Sequence, residues 1–415
     1  MAARAVDAVR RLAFVWLSFL AAWGCDRGGP AALPDSGSDA GPGLAVAVSC
    51  GAGTCAITDK GALKCWGPNT KGCGDECLPP GFPSQVIGME SGVVSVAVDV
   101  FHACAALEDG SVWCWGNSVD GVLGNSCGSD HCSEPLPVKD LVALSEAVAL
   151  GADTSCALAA DEAVQCWGCV GLGCGQPPTL VDGWHSGIRE LEASPWYALG
   201  ITDAGGLEAW QMSCPNLEPT EDCPGPPVAV DGLLGPVVDA AGSSVSTCAL
   251  LETGRIMCWG NNQFGYLGDG TTEDREQPTP VIGLDDVVIV KVSMNSRPTC
   301  ALTEDGRAFC WGDNRTGAIG NGTLSQREPT PSEVIDLPES ITAISAGGEH
   351  ACAIGESGAI YCWGNNMDGQ LGNGEDERDE CYEVEDYPNC YHPTPVRVVG
   401  FGPEPAEGWP EPPEE

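Results

Sequence analysis

Residues 341–374 read ITAISAGGEHACAIGESGAIYCWGNNMDGQLGNG, and the order of features inside that stretch decides the fold. An alternating apolar stretch from Ile341 comes first. Cys352-Ala353-Ile354 follows, then a tight turn at Gly358, a second short strand ending in Cys362-Trp363, and a Gly/Asn loop. Pro393-Thr394-Pro395-Val396 supplies a further strand. Short apolar runs punctuated by Gly, Asn and Pro read as strands and turns. With 56 Gly and 32 Pro in 415 residues, little room is left for helix interiors.

The same phrase returns along the chain. Cys-Trp-Gly stands at 65–67, 114–116, 166–168, 258–260, 310–312 and 362–364, with a degenerate copy at Ala209-Trp210-Gln211. The marker tryptophans Trp66, Trp115, Trp167, Trp210, Trp259, Trp311 and Trp363 are 49, 52, 43, 49, 52 and 52 residues apart. A period of about fifty belongs to propeller blades. A four-stranded copy cannot bury its apolar faces alone, so copies must stack side by side. The fold expected is all-β, a disulfide-stapled seven-bladed β-propeller over residues 44–401.

The run Gly348-Glu349-His350-Ala351-Cys352-Ala353-Ile354, with Gly358, Tyr361-Cys362-Trp363-Gly364-Asn365 and Gly369-Gln370-Leu371-Gly372, resembles the regulator of chromosome condensation repeat. The resemblance spans residues 44–401 and implies that family's seven-bladed propeller. It also makes a protein-inhibitor role possible, as in some secreted bacterial members. The family's His occurs at His102 and His350 among the copies, and both read as structural hydrogen-bonders rather than catalysts.

Twelve of the 24 cysteines form pairs ten residues apart: Cys55 with Cys65, Cys104 with Cys114, Cys156 with Cys166, Cys248 with Cys258, Cys300 with Cys310, and Cys352 with Cys362. Folding the second pair as a hairpin sets Leu107 opposite Ser111 and leaves Glu108-Asp109-Gly110 as the loop. A three-residue hairpin loop needs a left-handed residue at its end, which Gly supplies. Among these six copies only Ala160-Asp161-Glu162 lacks that glycine. The cysteines then face each other as a non-hydrogen-bonded pair, with Cα atoms about 4.5 Å apart, inside disulfide range. In the degenerate fourth copy Tyr197 and Ala209 are expected where the pair belongs. Cys73 with Cys77, Cys127 with Cys132, Cys169 with Cys174, Cys214 with Cys223, and Cys381 with Cys390 read as staples of the loops after each Trp. Zinc is the rival reading, but an exported chain with sequence-local pairs favours disulfides. With Cys25 set aside, Cys50 is left without a partner that the sequence can name.

Export rests on the N-terminus. Arg4, Arg10 and Arg11 precede an apolar run from Leu12 to Ala22, too short to span a bilayer and typical of a signal peptide. Ala22-Trp23-Gly24-Cys25 resembles a bacterial lipobox, which implies lipidation at Cys25; ordinary cleavage and an uncleaved anchor are the alternatives. Residues 1–24 read as the signal, 25–43 as a flexible tether and 402–415 as a disordered Pro/Glu tail. The chain carries −41; removing residues 1–24, with three Arg and one Asp, leaves −43. Such a charge repels phosphate backbones and anionic headgroups, so no nucleic acid is expected, and membrane contact only through the lipid.

Catalysis has no evident carrier. Gly124-Asn125-Ser126-Cys127-Gly128 spells a nucleophile elbow but lacks the strand–turn–helix setting. Cys166-Trp167-Gly168-Cys169 has redox spacing, but the repeat assigns its cysteines elsewhere. Loops such as Asp313-Asn314-Arg315-Thr316-Gly317 lack EF-hand spacing. No enzyme, metal or cofactor is therefore expected. Recognition is expected from loops on a rigid scaffold. The longest, Asn365 to His392, combines acid with Tyr382, Tyr387 and Tyr391 and offers the candidate binding residues. The function expected is an envelope-tethered or secreted, monomeric binding scaffold for a protein or glycan. Against it stand the family namesake's guanine-nucleotide exchange at chromatin and an envelope glycan hydrolase. The exchange reading conflicts with the signal peptide, the cysteines and the charge.

Overall fold

The alternation of short apolar strands and tight turns resolves into seven antiparallel four-stranded sheets in a computed structural model of the chain. It describes residues 43–405 apart from 69–71, 75–76, 80, 126, 129, 171–172, 213–224, 375–382, 385–386 and 389. Six sheets are built from consecutive strands, and the seventh takes its outer strand from beyond a small two-stranded ribbon, so the repeat and the blade coincide. Blade one comprises Ala45–Cys50, Thr54–Thr58, Leu63–Trp66 and Ser84–Gln85. Blade seven comprises Ile341–Ala346, His350–Gly355, Ile360–Asn365 and Tyr391–Arg397. The first strands touch one another in succession, and the strand from Ile341 meets the strand from Ala45, so the ring closes. First strands thus surround the axis. Second strands are buried almost throughout, because both their faces pack against neighbouring blades, while outer strands such as Arg275–Pro280 meet solvent.

The hairpin register fixes the cysteines. Cys104 faces Cys114; Leu107 N–H donates to Ser111 O at 3.0 Å and Gly110 N–H to Leu107 O at 2.8 Å. All six ten-residue pairs are disulfides: Cys55 is bonded to Cys65, Cys104 to Cys114 and Cys156 to Cys166. In the later blades Cys248 is bonded to Cys258, Cys300 to Cys310 and Cys352 to Cys362. Their Cα atoms stand 4.0–4.2 Å apart, slightly closer than the sequence-based expectation. Cys65, Cys258 and Cys310 sit on third strands, fully buried with their partners, so these bridges belong to the blade core rather than to the surface. Gly110 has φ of 81°, as the loop requires, and Glu162 takes the same left-handed region at φ 65° in the copy without glycine. One expectation is corrected. Leu199, not Tyr197, faces Ala209. The ten-residue spacing counted back from Ala209 ends at 199, where a buried leucine replaces the disulfide sulfur in the core. Tyr197 instead sends its hydroxyl into blade five, 2.6 Å from Thr247 Oγ1.

The Gly-x-Leu-Gly phrase is the joint between blades. In blade seven, Leu371 is buried, Gln370 O accepts the Trp66 indole N–H of blade one at 2.9 Å, and Gly372 lies under that ring. A Cβ at Gly372 would stand 2.6 Å from Trp66 Nε1. The arrangement repeats for Trp167 on Val122 O, Trp311 on Tyr266 O and Trp363 on Ala318 O, at 2.8–2.9 Å, with Gly124, Gly268 and Gly320 beneath. The loop asparagine shapes this turn: Asn366, Asn314 and Asn262 Oδ1 accept the N–H of Leu371, Ile319 and Leu267. Each buried Leu or Ile contributes about 1.5–3 kcal/mol.

Among the described residues, neither end of the chain lends a strand to the opposite blade. Blades seven and one are joined by contacts: a parallel bridge Gly43–Phe401, Gly402 N–H to Gly43 O at 3.1 Å, and Phe401 against Trp66 with ring centroids 5.7 Å apart.

Candidate recognition face

Strand direction sorts the loops. Turns between second and third strands, the three-residue hairpins, gather on one face; those between first and second and between third and fourth strands gather on the other. The hairpin face is nearly uniform. On the opposite face the third-to-fourth connection varies from residues 171–172 in blade three to 366–390 in blade seven. Variable loops on a rigid scaffold are where recognition is built.

Around the axis on this face, seven equivalent residues precede the second strands: Gly53, Phe101, Asp153, Trp196, Val245, Arg297 and Glu349. Their backbone carbonyls hold the inner ends of the long loops: Asn117 N–H donates to Phe101 O, Met212 to Trp196 O, Asn261 to Val245 O and Asn365 to Glu349 O, at 2.9–3.0 Å. With the carbonyl thus engaged, the side chain stands on the rim. Phe101, Trp196 and Val245 are 44%, 41% and 48% exposed. Arg297 and Glu349, neighbours on this rim, pair at 2.6 Å, which shows that side chains of adjacent blades reach each other here. Arg297 also lies 3.6 Å from Asp313, whose carboxylate Arg315 grips at 2.5 Å, and Arg315 stacks over Phe264. On the rim of blades six and seven these two guanidinium groups thereby offset the two carboxylates. The arc over blades two to five stays apolar and acidic: burial and nearby Asp120 raise the Asp153 carboxyl, and burial first, then Asp153, pushes Asp99 up to about 6.

Below the rim, first-strand side chains line the axis. At one level stand Ala47, Ser95, Ala147, Glu190, Asp239, Lys291 and Ala343. Asp239 accepts the Val292 N–H and binds Lys291 Nζ, both at 2.8 Å. Carboxylate oxygens of Glu190, Glu192 and Asp239 lie within 4.8 Å of one another. Burial foremost, with Asp239 adding to it against Lys291, pushes Glu192 up to about 7. Burial alone would lower Lys291, but Asp239, Glu190 and Glu192 hold its ammonium above the usual range.

The residues singled out from the sequence are dispersed. Tyr391 is half-buried in the outer strand of blade seven, opposite Asn365. Tyr387 lies in a two-stranded ribbon pairing Val384, while Tyr382 is outside the described residues. His102 and His350 are fully buried on second strands, with Nε2 2.9 Å from Ser155 Oγ and 2.7 Å from Thr54 Oγ1 of the following blade. Burial lowers them to about 3 and about 4. The Asp313 loop spends its carboxylate on guanidinium groups and its Asn314 on the turn. Cys73–Cys77, Cys127–Cys132 and Cys169–Cys174 are bonded, as is Cys390. Cys25, Cys214, Cys223, Cys381 and Ser126 lie outside the described residues. The rim was missed because its seven positions share no residue type; counting back one residue from each second strand would have found it.

Comparison with known proteins agrees with this geometry. The RCC1-like domain matches residues 20–403. The mitochondrial RCC1 domain-containing protein RUG3 of Arabidopsis thaliana is 29% identical over 303 residues, 67% of this chain and 66% of RUG3. The ultraviolet-B receptor UVR8 of the same plant is 28% identical, covering 71% and 70%. The chain spans only 7% of the human E3 ubiquitin-protein ligase HERC2, at 27% identity. Among solved structures, Prp20p of Saccharomyces cerevisiae superposes with a TM-score of 0.63 at 21% identity, over 81% of this chain and 85% of that one, a likeness of fold.

Proposed function

Because the chain belongs to the RCC1-like domain family, whose propellers serve mostly as scaffolds, we propose that it is an exported binding scaffold that recognises a protein partner through its loop face. One observation carries this reading: a single face gathers the variable loops and exposes Phe101, Trp196 and Val245 around the axis. Exposed aromatics ringed by polar groups mark protein contact sites. Asp153 and the −41 net charge favour a partner surface that is basic as well as apolar, since complementary charge speeds encounter and selects partners. A protein of the same fold lends support, since Prp20p is described by its binding properties toward Gsp1p and histones. This chain matches only 7% of the ligase named among its relatives, and no catalytic role is drawn from it. The lipobox-like Ala22-Trp23-Gly24-Cys25 supports tethering of a bacterial protein to its envelope through a lipid on Cys25.

The test uses the full chain expressed in a bacterial host. Labelled fatty acid should enter the protein and vanish with Cys25→Ser. Crosslinking to envelope proteins should weaken at least tenfold for the double variant Phe101→Ala with Trp196→Ala, which trims exposed side chains, and persist for Asp109→Ala on the hairpin face. Equal capture by both variants would refute the rim as the recognition element.

A further inference from the structure

Cys50 is the one described cysteine outside a disulfide, and it is 4% exposed. A thiol so enclosed cannot pair with another molecule, so its chemistry must be found inside the fold. It ends the first strand of blade one, and the equivalent residues of the other blades are Val98, Leu150, Ala193, Gly242, Met294 and Ala346. None of those carries a thiol. Blade one differs from the rest in one respect. Each other blade follows its neighbour through the polypeptide, whereas the junction of blade seven with blade one has no chain running through it. Cys50 lies at that junction: its N–H donates to Ser345 Oγ at 3.0 Å, and Gly348 N–H donates to Gly51 O at 2.9 Å. Its sulfur stands within 4.8 Å of Cys352 Sγ, itself bonded to Cys362, and of a ring nitrogen of His350.

We infer that Cys50 is the exchange partner of the Cys352–Cys362 disulfide, so that the propeller has a second disulfide isomer in which Cys50–Cys352 clasps its first blade to its last. Cys50 gives up its proton and the thiolate attacks Cys352 Sγ. The Cys50–Cys352 bond forms, the Cys352–Cys362 bond breaks, and the electron pair leaves on the Cys362 sulfur, which takes up a proton. One thiol and one disulfide stand on each side of the step, so no oxidant is consumed. The original isomer staples a hairpin that the chain already closes locally; the second ties residues that only folding brings together. Burial pushes the Cys50 thiol up to about 12, against hydrogen bonds from Ser345 and Thr54. Among the described residues the ionisable neighbour is His350, held neutral by burial. Exchange is therefore slow near neutrality and gated by the thiolate fraction.

The experiment incubates the native, oxidised protein from about pH 8 to about pH 10, quenches in acid, alkylates the denatured chain and maps its peptides. Below the thiol pKa the thiolate fraction grows about tenfold per pH unit. A Cys50–Cys352 peptide and alkylated Cys362 should appear at a rate rising in the same proportion. Cys50→Ser should leave Cys352–Cys362 intact throughout, and Cys362→Ser should fold with Cys50 joined to Cys352. Alkylation confined to Cys50 at every pH would overturn the inference. So would release of Cys362 in Cys50→Ser, since that would mean disulfide cleavage without exchange.

Discussion

Replacing Gly320 by alanine tests the blade joint directly. Gly320 has φ of +74°, and a Cβ there would meet Trp363 Nε1 at 2.8 Å and Val334 Cγ1 at 2.9 Å. Trp363 is fully buried and spends its indole N–H on Ala318 O at 2.9 Å, so the ring has nowhere to retreat. Gly283 separates the two causes: its φ is +79°, but nothing lies within 4 Å of its Cβ position. Gly283→Ala should lose only the left-handed penalty of about 1–2 kcal/mol, partly offset by a stiffer unfolded chain, for a net cost of about 1 kcal/mol. Gly320→Ala adds overpacking of about 1–3 kcal/mol and a weakened buried hydrogen bond of about 1 kcal/mol. Its total should reach about 3–5 kcal/mol. Equilibrium urea unfolding with disulfides intact, followed by tryptophan fluorescence and circular dichroism, measures both variants on one scale. If Gly320→Ala falls within about 0.5 kcal/mol of Gly283→Ala, the tryptophan seat is not close-packed and the account of the joint fails.

Two further outcomes are expected. His350 is neutral and buried, with its folded value about 4 against 6.5 unfolded, so its share of stability is complete above pH 6.5 and is lost as pH falls toward 4. Asp99 and Glu192, raised by burial, act in the opposite sense, so the readout is the stability of wild type minus that of His350→Gln, which should shrink by up to about 3 kcal/mol over this window; a pH-independent difference would contradict it. Non-reducing peptide mapping should find Cys104 joined to Cys114, and replacing both by alanine should cost about 2–3 kcal/mol, since the closed loop is short. Stoichiometric zinc with free thiols would sink that pairing.

The blade was legible because its joint is written at fixed offsets. Trp363 and Gly320 meet in space, and the tryptophan recurs near every fiftieth residue, so periodicity marked the blade while the contact itself emerged only from the structure. The hairpins were legible because turn geometry is local: Gly110 states the loop, and the loop states the register that pairs Cys104 with Cys114. Where the repeat decays, local rules lose their anchor. Tyr197 invited alignment with the cysteines, yet packing set Leu199 there and sent the tyrosine to the next blade. The rim was opaque for another reason. Phe101, Trp196 and Val245 are alike only in place, and their exposure follows from which face a turn occupies. The axial grouping of Glu190, Asp239 and Lys291 joins residues from three blades that no spacing rule connects.

The tryptophan joint reads only a main-chain carbonyl and the empty space over a glycine. It therefore carries no address: any copy bearing the tryptophan could sit behind any copy bearing the glycine. Such a contact lets the units that carry it drift apart in other residues, or be duplicated and reshuffled, without losing their grip; the fourth unit, whose Trp210 bonds Gly225 O of its own blade, is held by other contacts. How many copies make the ring is then decided by the wedge angle at which curvature closes, not by the copies recognising one another.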